Sequence, residues 1–183
     1  MAREDFAELL SKAQAGDEEA FSRLWLDLNP RLVRYLSLEP GGHAEDLAAE
    51  TWISVIKGLR RFRGNEVEWR AWVFTTARRR ALDAARRRSR RPREVLGDPS
   101  EQAWAVPDPS LGVLEDLSPG SVVALLSTLP AVQAEVLALR VIAGLPVETV
   151  AAMVGKSPGA VRVSAHRGLR TLAATLRSQG VTQ

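Results

Sequence analysis

The chain of 183 residues contains no cysteine, which excludes disulfides, thiolate metal sites and cysteine nucleophiles together. It has only two histidines, His43 and His166, far apart, and no glycine-rich phosphate loop or metal-ligand spacing. Neither a catalytic site, a cofactor nor a metal centre is therefore expected. No apolar run approaches the roughly 20 residues of a membrane span. The charged opening at Arg3, Glu4 and Asp5 does not read as a signal peptide. No membrane insertion is expected, and a soluble, cytoplasmic protein is the default. Strand-like alternation is nearly missing too, whereas 3.6-residue periodicity runs almost throughout, so the expected fold class is all-α.

With 45% apolar residues the chain can bury a core. Its net charge of +3 conceals blocks of opposite sign: −6 over residues 1–56, +11 over 57–93, −7 over 94–135 and +5 over 136–183. Two basic blocks separated by an acidic one suit two contacts with one polyanion.

The helical patterns follow one another closely. Asp17 is placed to cap a helix with Glu18 and Glu19 in its first turn. Phe21, Leu24, Trp25, Leu28, Leu32 and Tyr35 continue it as an apolar stripe, which Pro30 is expected to kink or interrupt. After the break at 40–42, Ala48, Trp52, Val55, Ile56 and Leu59 form one face of a second helix, and Asp46, Glu50, Ile53 and Lys57 another. A turn at 63–65 precedes a third helix from Glu68 to Arg88. One face of it carries Trp69, Trp72, Val73, Ala77, Ala81 and Ala84; the other carries Thr75, Arg78, Arg79, Leu82 and Arg86. The tryptophans suit a core. The arginines crowd around a single acid, Asp83, and a merely solvated face would mix its charges.

From Pro92 onward, prolines and acids without periodicity read as a linker. Helical pattern resumes at Ser118-Pro119, a cap followed by proline at the first helical position. The expected architecture is two small helical domains, 1–92 and 118–183, joined by an acidic, proline-containing linker at 93–117.

In the C-terminal domain, Ala151, Gly155 and Val161 fall at i, i+4 and i+10. A helix-turn-helix needs this set: a small residue where the helices cross, a glycine to leave the first, and an apolar residue on the second facing back. Val150, Val154 and Leu169 complete the expected packing. The second helix, capped by Ser157, would expose Ser157, Pro158, Gly159, Arg162, Val163, His166 and Arg167 to the major groove. Pro146 stands where Ser or Thr would cap the first helix better. These features alone also fit a free-standing helix-turn-helix regulator that binds duplex DNA without polymerase, or an RNA-binding protein using the arginine-rich helix. The first leaves the acidic helix at 45–57 without a task, and the second leaves the helix-turn-helix spacing unexplained.

The order of segments favours a third reading. "GDEEAFSRLWLDLNPRLVRYL", "AEDLAAETWISVIKGLRRFRG", "WRAWVFTTARRRALDAARRRSRRP", an acidic linker and "LPAVQAEVLALRVIAGLPVETVAAMVGKSPGAVRVSAHRGLRTL" together resemble a bacterial RNA polymerase sigma factor of the extracytoplasmic-function (ECF) group. The resemblance covers nearly the whole chain. It implies a sigma factor that binds core RNA polymerase, directs it to promoters and helps melt the −10 element. By that resemblance, Asp46, Leu47, Glu50 and Ile53 dock on the clamp helices of the polymerase's largest subunit. Phe62, Arg63, Asn65 and Glu66 line a pocket for an extruded −10 base, with Arg78, Arg79 and Arg86 on phosphates or neighbouring bases. The helix after Ser157 reads the −35 element, the linker threads into the polymerase near the RNA path, and an anti-sigma factor is a further partner. The chemistry belongs to the polymerase.

A magnitude supports that division. Opening about ten base-pair steps costs on the order of 14 kcal/mol, while stacking an extruded base on protein returns only ~1–3 kcal/mol. Such a protein needs the polymerase to hold the strands apart.

Overall fold

The computed structural model describes residues 5–41, 43–89 and 119–178. Its first helix, α1 (Phe6–Ala15), stops at Gly16, whose φ of +101° is easy only for glycine. Gly16 N–H bonds Ala13 O and Asp17 N–H bonds Lys12 O, both at 3.1 Å, so a Schellman turn closes α1. Asp17 at once caps α2 (Glu18–Leu36), its carboxylate accepting the N–H groups of Glu19 and Ala20 at 2.9 and 3.1 Å. α3 (Ala44–Leu59) and α4 (Glu66–Ser89) follow. The chain divides into two compact units, Met1–Arg91 and Pro92–Gln183; the second holds α5 (Pro119–Leu126), α6 (Ala131–Val141), α7 (Val147–Val154) and α8 (Pro158–Ser178). Among the described residues there is no strand, and no helix is long and apolar enough to cross a membrane. The linker at 93–117 and the Ser118 cap lie outside the described residues.

Pro30 does not interrupt its helix: α2 runs through it unbroken. An interior proline costs about 3 kcal/mol. Leu28 and Leu32, on either side of it, are completely buried and offset that by roughly 1.5–3 kcal/mol each. Tertiary packing overrides the local penalty.

In the first unit α4 packs on α2 and α3, and α1 packs on α2. Trp69, Val73, Ala77 and Ala81 of α4 are buried as their spacing predicts. Phe74 is buried with them and meets Tyr35 edge-on at 5.5 Å. Trp52 of α3 is buried against Phe21, its indole N–H donating to Asn29 Oδ1 at 2.9 Å. Two residues leave their expected apolar faces. Trp25 is 36% exposed and Ile56 53% exposed, because each sits at the edge of a stripe wider than the area its neighbours cover.

In the second unit α6 packs on α8, and α7 on both. Val136, Leu137, Leu139, Leu145, Val150 and Val161 form its core. A Cβ on Gly168 would lie 2.7 Å from Leu137 Cδ1, so glycine permits the close crossing of α6 and α8. Arg140 Nη1 donates to Leu145 O at 2.8 Å across the turn that leads into α7. Pro146 occupies the N-cap of α7 and, having no side-chain acceptor, makes no capping bond.

Candidate nucleic-acid and polymerase interfaces

The helix-turn-helix is built from the three residues its spacing singles out. Ala151 is buried at the crossing, Gly155 leaves α7 in the left-handed region (φ +71°), and Val161 is completely buried on the inner side of α8. Val150 is buried, whereas Val154 and Leu169 are half-buried at the margin. Ser157 Oγ accepts the Ala160 N–H at 3.1 Å, so α8 starts with its first turn capped. Ser157, Pro158, Gly159 and Arg167 are exposed; Arg162, Val163 and His166 are half-buried. The only acid of the basic C-terminal block, Glu148 on α7, holds Arg162: Nη2 to Oε1 is 3.0 Å.

In the first unit the aromatic residues and the arginines meet at the loop from Arg60 to Asn65. Phe62 lies flat on Trp72 (centroids 5.1 Å, 15° between planes) and edge-on to Trp69 at 5.5 Å. Phe6 of α1 closes the cluster against Trp69 at 6.5 Å. Phe62 is therefore a half-buried anchor of the loop. Asn65 and Glu68 cap α4 reciprocally: Asn65 Oδ1 accepts the Glu68 N–H at 3.0 Å, and Glu68 Oε2 accepts the Asn65 N–H at 2.8 Å. This capping box starts α4 at Glu66, two residues before the expected Glu68. Glu66 is exposed, 3.9 Å from Arg70 Nη2. Exposed Arg63 folds back, its Nη1 donating to Arg60 O at 2.9 Å and Phe62 O at 2.7 Å.

Along α4 the arginines diverge. Arg79 and Arg86 are exposed, Arg86 lying 3.4 Å from Asp83, and Arg78 is half-buried. Arg80, which the periodicity does not single out, turns to α3 instead. Its Nη2 donates to Ser54 Oγ at 2.8 Å, and Nη1 stands 3.7 Å from Glu50 Oε2.

The outer face of α3 carries Asp46, Glu50, Ile53, Ile56 and Lys57, all exposed. Leu47 does not belong to it. At 4% exposure it is part of the domain core, because its place on the helix turns it toward the buried side with Ala48 and Thr51. Ile56 takes its place on the outer face, giving two isoleucines each 53% exposed beside acids. Exposed isoleucines three apart on one helix suit a partner surface better than water.

Comparison with known proteins agrees with this division. Residues 19–91 match the model of sigma-70 region 2, and residues 120–172 that of sigma-70 region 4. The ECF RNA polymerase sigma factor ShbA of Streptomyces griseus is 37% identical over 177 residues, covering 91% of this chain and 92% of that protein. The ECF sigma factor BldN of Streptomyces coelicolor is 32% identical over 171 residues, 92% of this chain but 65% of the longer relative. Among solved structures, the sigma factor RpoE of Bartonella quintana, in complex with the anti-sigma factor NepR, superposes with a TM-score of 0.63 at 26% identity. The match covers 86% of this chain and 96% of that one. A basic helix-turn-helix in one unit and an aromatic-pinned, arginine-flanked loop in the other thus coincide with regions 4 and 2. The chain belongs to the ECF sigma factors, the initiation subunits that direct bacterial RNA polymerase to promoters.

Proposed function

We propose that this sigma factor divides promoter recognition between its two units. Residues 1–92 act as sigma domain 2, residues 118–183 as sigma domain 4, and residues 93–117 as the linker that threads toward the RNA path. The loop at 60–65 with Arg78, Arg79 and Arg86 captures the −10 strand as it unpairs. Arg63, Asn65 and Glu66 are exposed there. Phe62 acts mainly by anchoring the loop, since its ring is committed to Trp72 and Trp69. The observation that carries this reading is that anchoring: a loop held by an aromatic stack in its middle and a capping box at its end needs little further ordering to bind a strand.

The N-terminal half of α8 reads the −35 element, with Ser157, Pro158, Gly159, Arg162, Val163, His166 and Arg167 toward the groove. Asp46, Glu50 and Ile53, joined by Ile56 in place of Leu47, dock on the clamp helices of the largest polymerase subunit. An anti-sigma factor is a further partner, as one is for the Bartonella relative. The sigma factor works in the bacterial cytoplasm, where polymerase and chromosome meet, and contributes no catalytic residue of its own.

The test is run-off transcription by bacterial core polymerase with and without the protein on a pool of promoter fragments. Start sites that depend on the protein and share two spaced upstream motifs are expected. Changes to the upstream motif should be sensed through α8 variants, and changes to the downstream motif through loop and α4 variants. Motif changes that are felt equally by both sets of variants would overturn the division.

A further inference from the structure

The reading above gives α1 no task, yet the last turn of α1 reaches the strand-capture loop. Gln14 is half-buried, and its side-chain amide donates to two backbone carbonyls of that region: Leu59 O at 2.9 Å and Phe62 O at 2.8 Å. These acceptors lie 45 and 48 residues further along the chain. We propose that Gln14 is a positioning residue for promoter opening, which holds the carbonyls of Leu59 and Phe62 so that the loop presents its exposed side chains to the −10 strand in one geometry. The inference rests on the reading of this loop as the strand-capture element.

The local backbone explains why a donor is needed. Leu59 ends α3, where carbonyls lose their intrahelical partners. The chain tightens there through Arg61 N–H to Gly58 O at 2.9 Å and Phe62 N–H to Leu59 O at 3.1 Å, but Phe62 O lies beyond both bonds. Two side chains serve it, Gln14 and Arg63, the latter at 2.7 Å. They differ in what a DNA strand does to them. Arg63 is exposed, and a guanidinium exchanges a carbonyl for a phosphate with a gain in strength. Gln14 is neutral and half-buried, so an arriving phosphate does not draw it away. When Arg63 turns to the strand, Gln14 keeps Phe62 O paired and the Phe62 ring seated on Trp72. The loop can then lend its arginine without losing its shape.

The test uses holoenzyme assembled from bacterial core polymerase and the full chain. The probes are a fluorescent single strand carrying the −10 motif mapped by run-off and the same strand with motif bases replaced singly; the readout is the ratio of their affinities. Gln14→Met keeps length and helix preference but lacks the donor. It is expected to reduce the ratio about five- to tenfold, the order of one or two net hydrogen bonds. Affinity for core polymerase should stay within about twofold, since docking uses the outer face of α3. Gln14→Lys, which returns a donor to carbonyls at a helix C-terminus, is expected to restore the ratio. An unchanged ratio in Q14M, a loss that Q14K does not reverse, or a loss matched by lost core affinity would each overturn the role of Gln14. A wild-type holoenzyme that does not distinguish the strands would instead overturn the strand-capture reading, and the role of Gln14 with it.

Discussion

Arg162 on α8 and Glu148 on α7 are joined by a 3.0 Å ion pair. The bond links the residue best suited to a guanine edge or a phosphate to the one acid in a basic block. Both side chains are substantially exposed, 39% and 67%, so the pair adds at most about 1 kcal/mol to stability. On the proposed reading of α8 its consequence lies in recognition: Arg162 would be aimed before DNA arrives, and would exchange or share its partner on binding.

Glu148→Gln therefore tests recognition rather than folding. The unfolding free energy should change by less than about 1 kcal/mol. Affinity of holoenzyme for duplexes with altered −35 elements should rise about two- to fivefold, as a carboxylate facing the phosphates is lost. Discrimination among −35 sequences should fall accordingly. Anisotropy titrations on matched and altered duplexes measure both.

The two sides of α3 should separate stability from docking. Leu47→Ala empties part of the core and should cost about 2–5 kcal/mol in denaturant unfolding. Ile53→Ala and Ile56→Ala remove half-exposed side chains and should cost no more than about 0.5 kcal/mol each. In a core-polymerase binding assay the order should reverse: the double isoleucine variant is expected to be folded and to bind weakly.

Exposed Arg79 and Arg86 should appear in the salt dependence. If both neutralise phosphates, the double alanine variant lowers the slope of log K against log salt by about 1.4 on a single-stranded −10 probe, at roughly 0.7 per phosphate. Arg80→Ala should leave that slope unchanged, because its guanidinium faces Ser54 and Glu50. Titration of holoenzyme at several salt concentrations separates the cases.

Gly58 of α3 lies against Trp72. An added Cβ would lie 2.7 Å from Trp72 Cζ2 and 3.1 Å from Cη2. The indole cannot yield freely, since it is stacked on Phe62. Gly58→Ala gains up to about 1 kcal/mol of helix propensity and meets an overpacking cost of about 1–3 kcal/mol. A net loss of stability is expected in thermal unfolding, with weaker opening of the −10 element because the displaced ring carries the loop with it.

Much of this was legible locally. Ala151, Gly155 and Val161 announce the helix-turn-helix because a tight turn between packed helices restricts residue type over ten positions. Trp69, Val73, Ala77 and Ala81 announce the buried face of α4 through helical period alone. Trp25 and Ile56 left the faces that period gave them, because period gives directions around a helix without saying how wide an arc the neighbours cover. Pro30 leaves α2 unbroken for a related reason: its penalty is local, and the burial that outweighs it is not.

By itself, the sequence determined an all-α chain in two parts, the order of its charge blocks, the helix caps at Asp17 and Ser157, and membership of a sigma-factor family. These depend on residues near one another along the chain, where backbone geometry limits what a given spacing can do. Only the tertiary structure decided that Arg80 turns to α3, that Glu148 pairs with Arg162, and that Gln14 reaches a loop residue 48 positions away. Each of those depends on where two helices cross, a position set by the packing of whole faces rather than by the residues that happen to meet there.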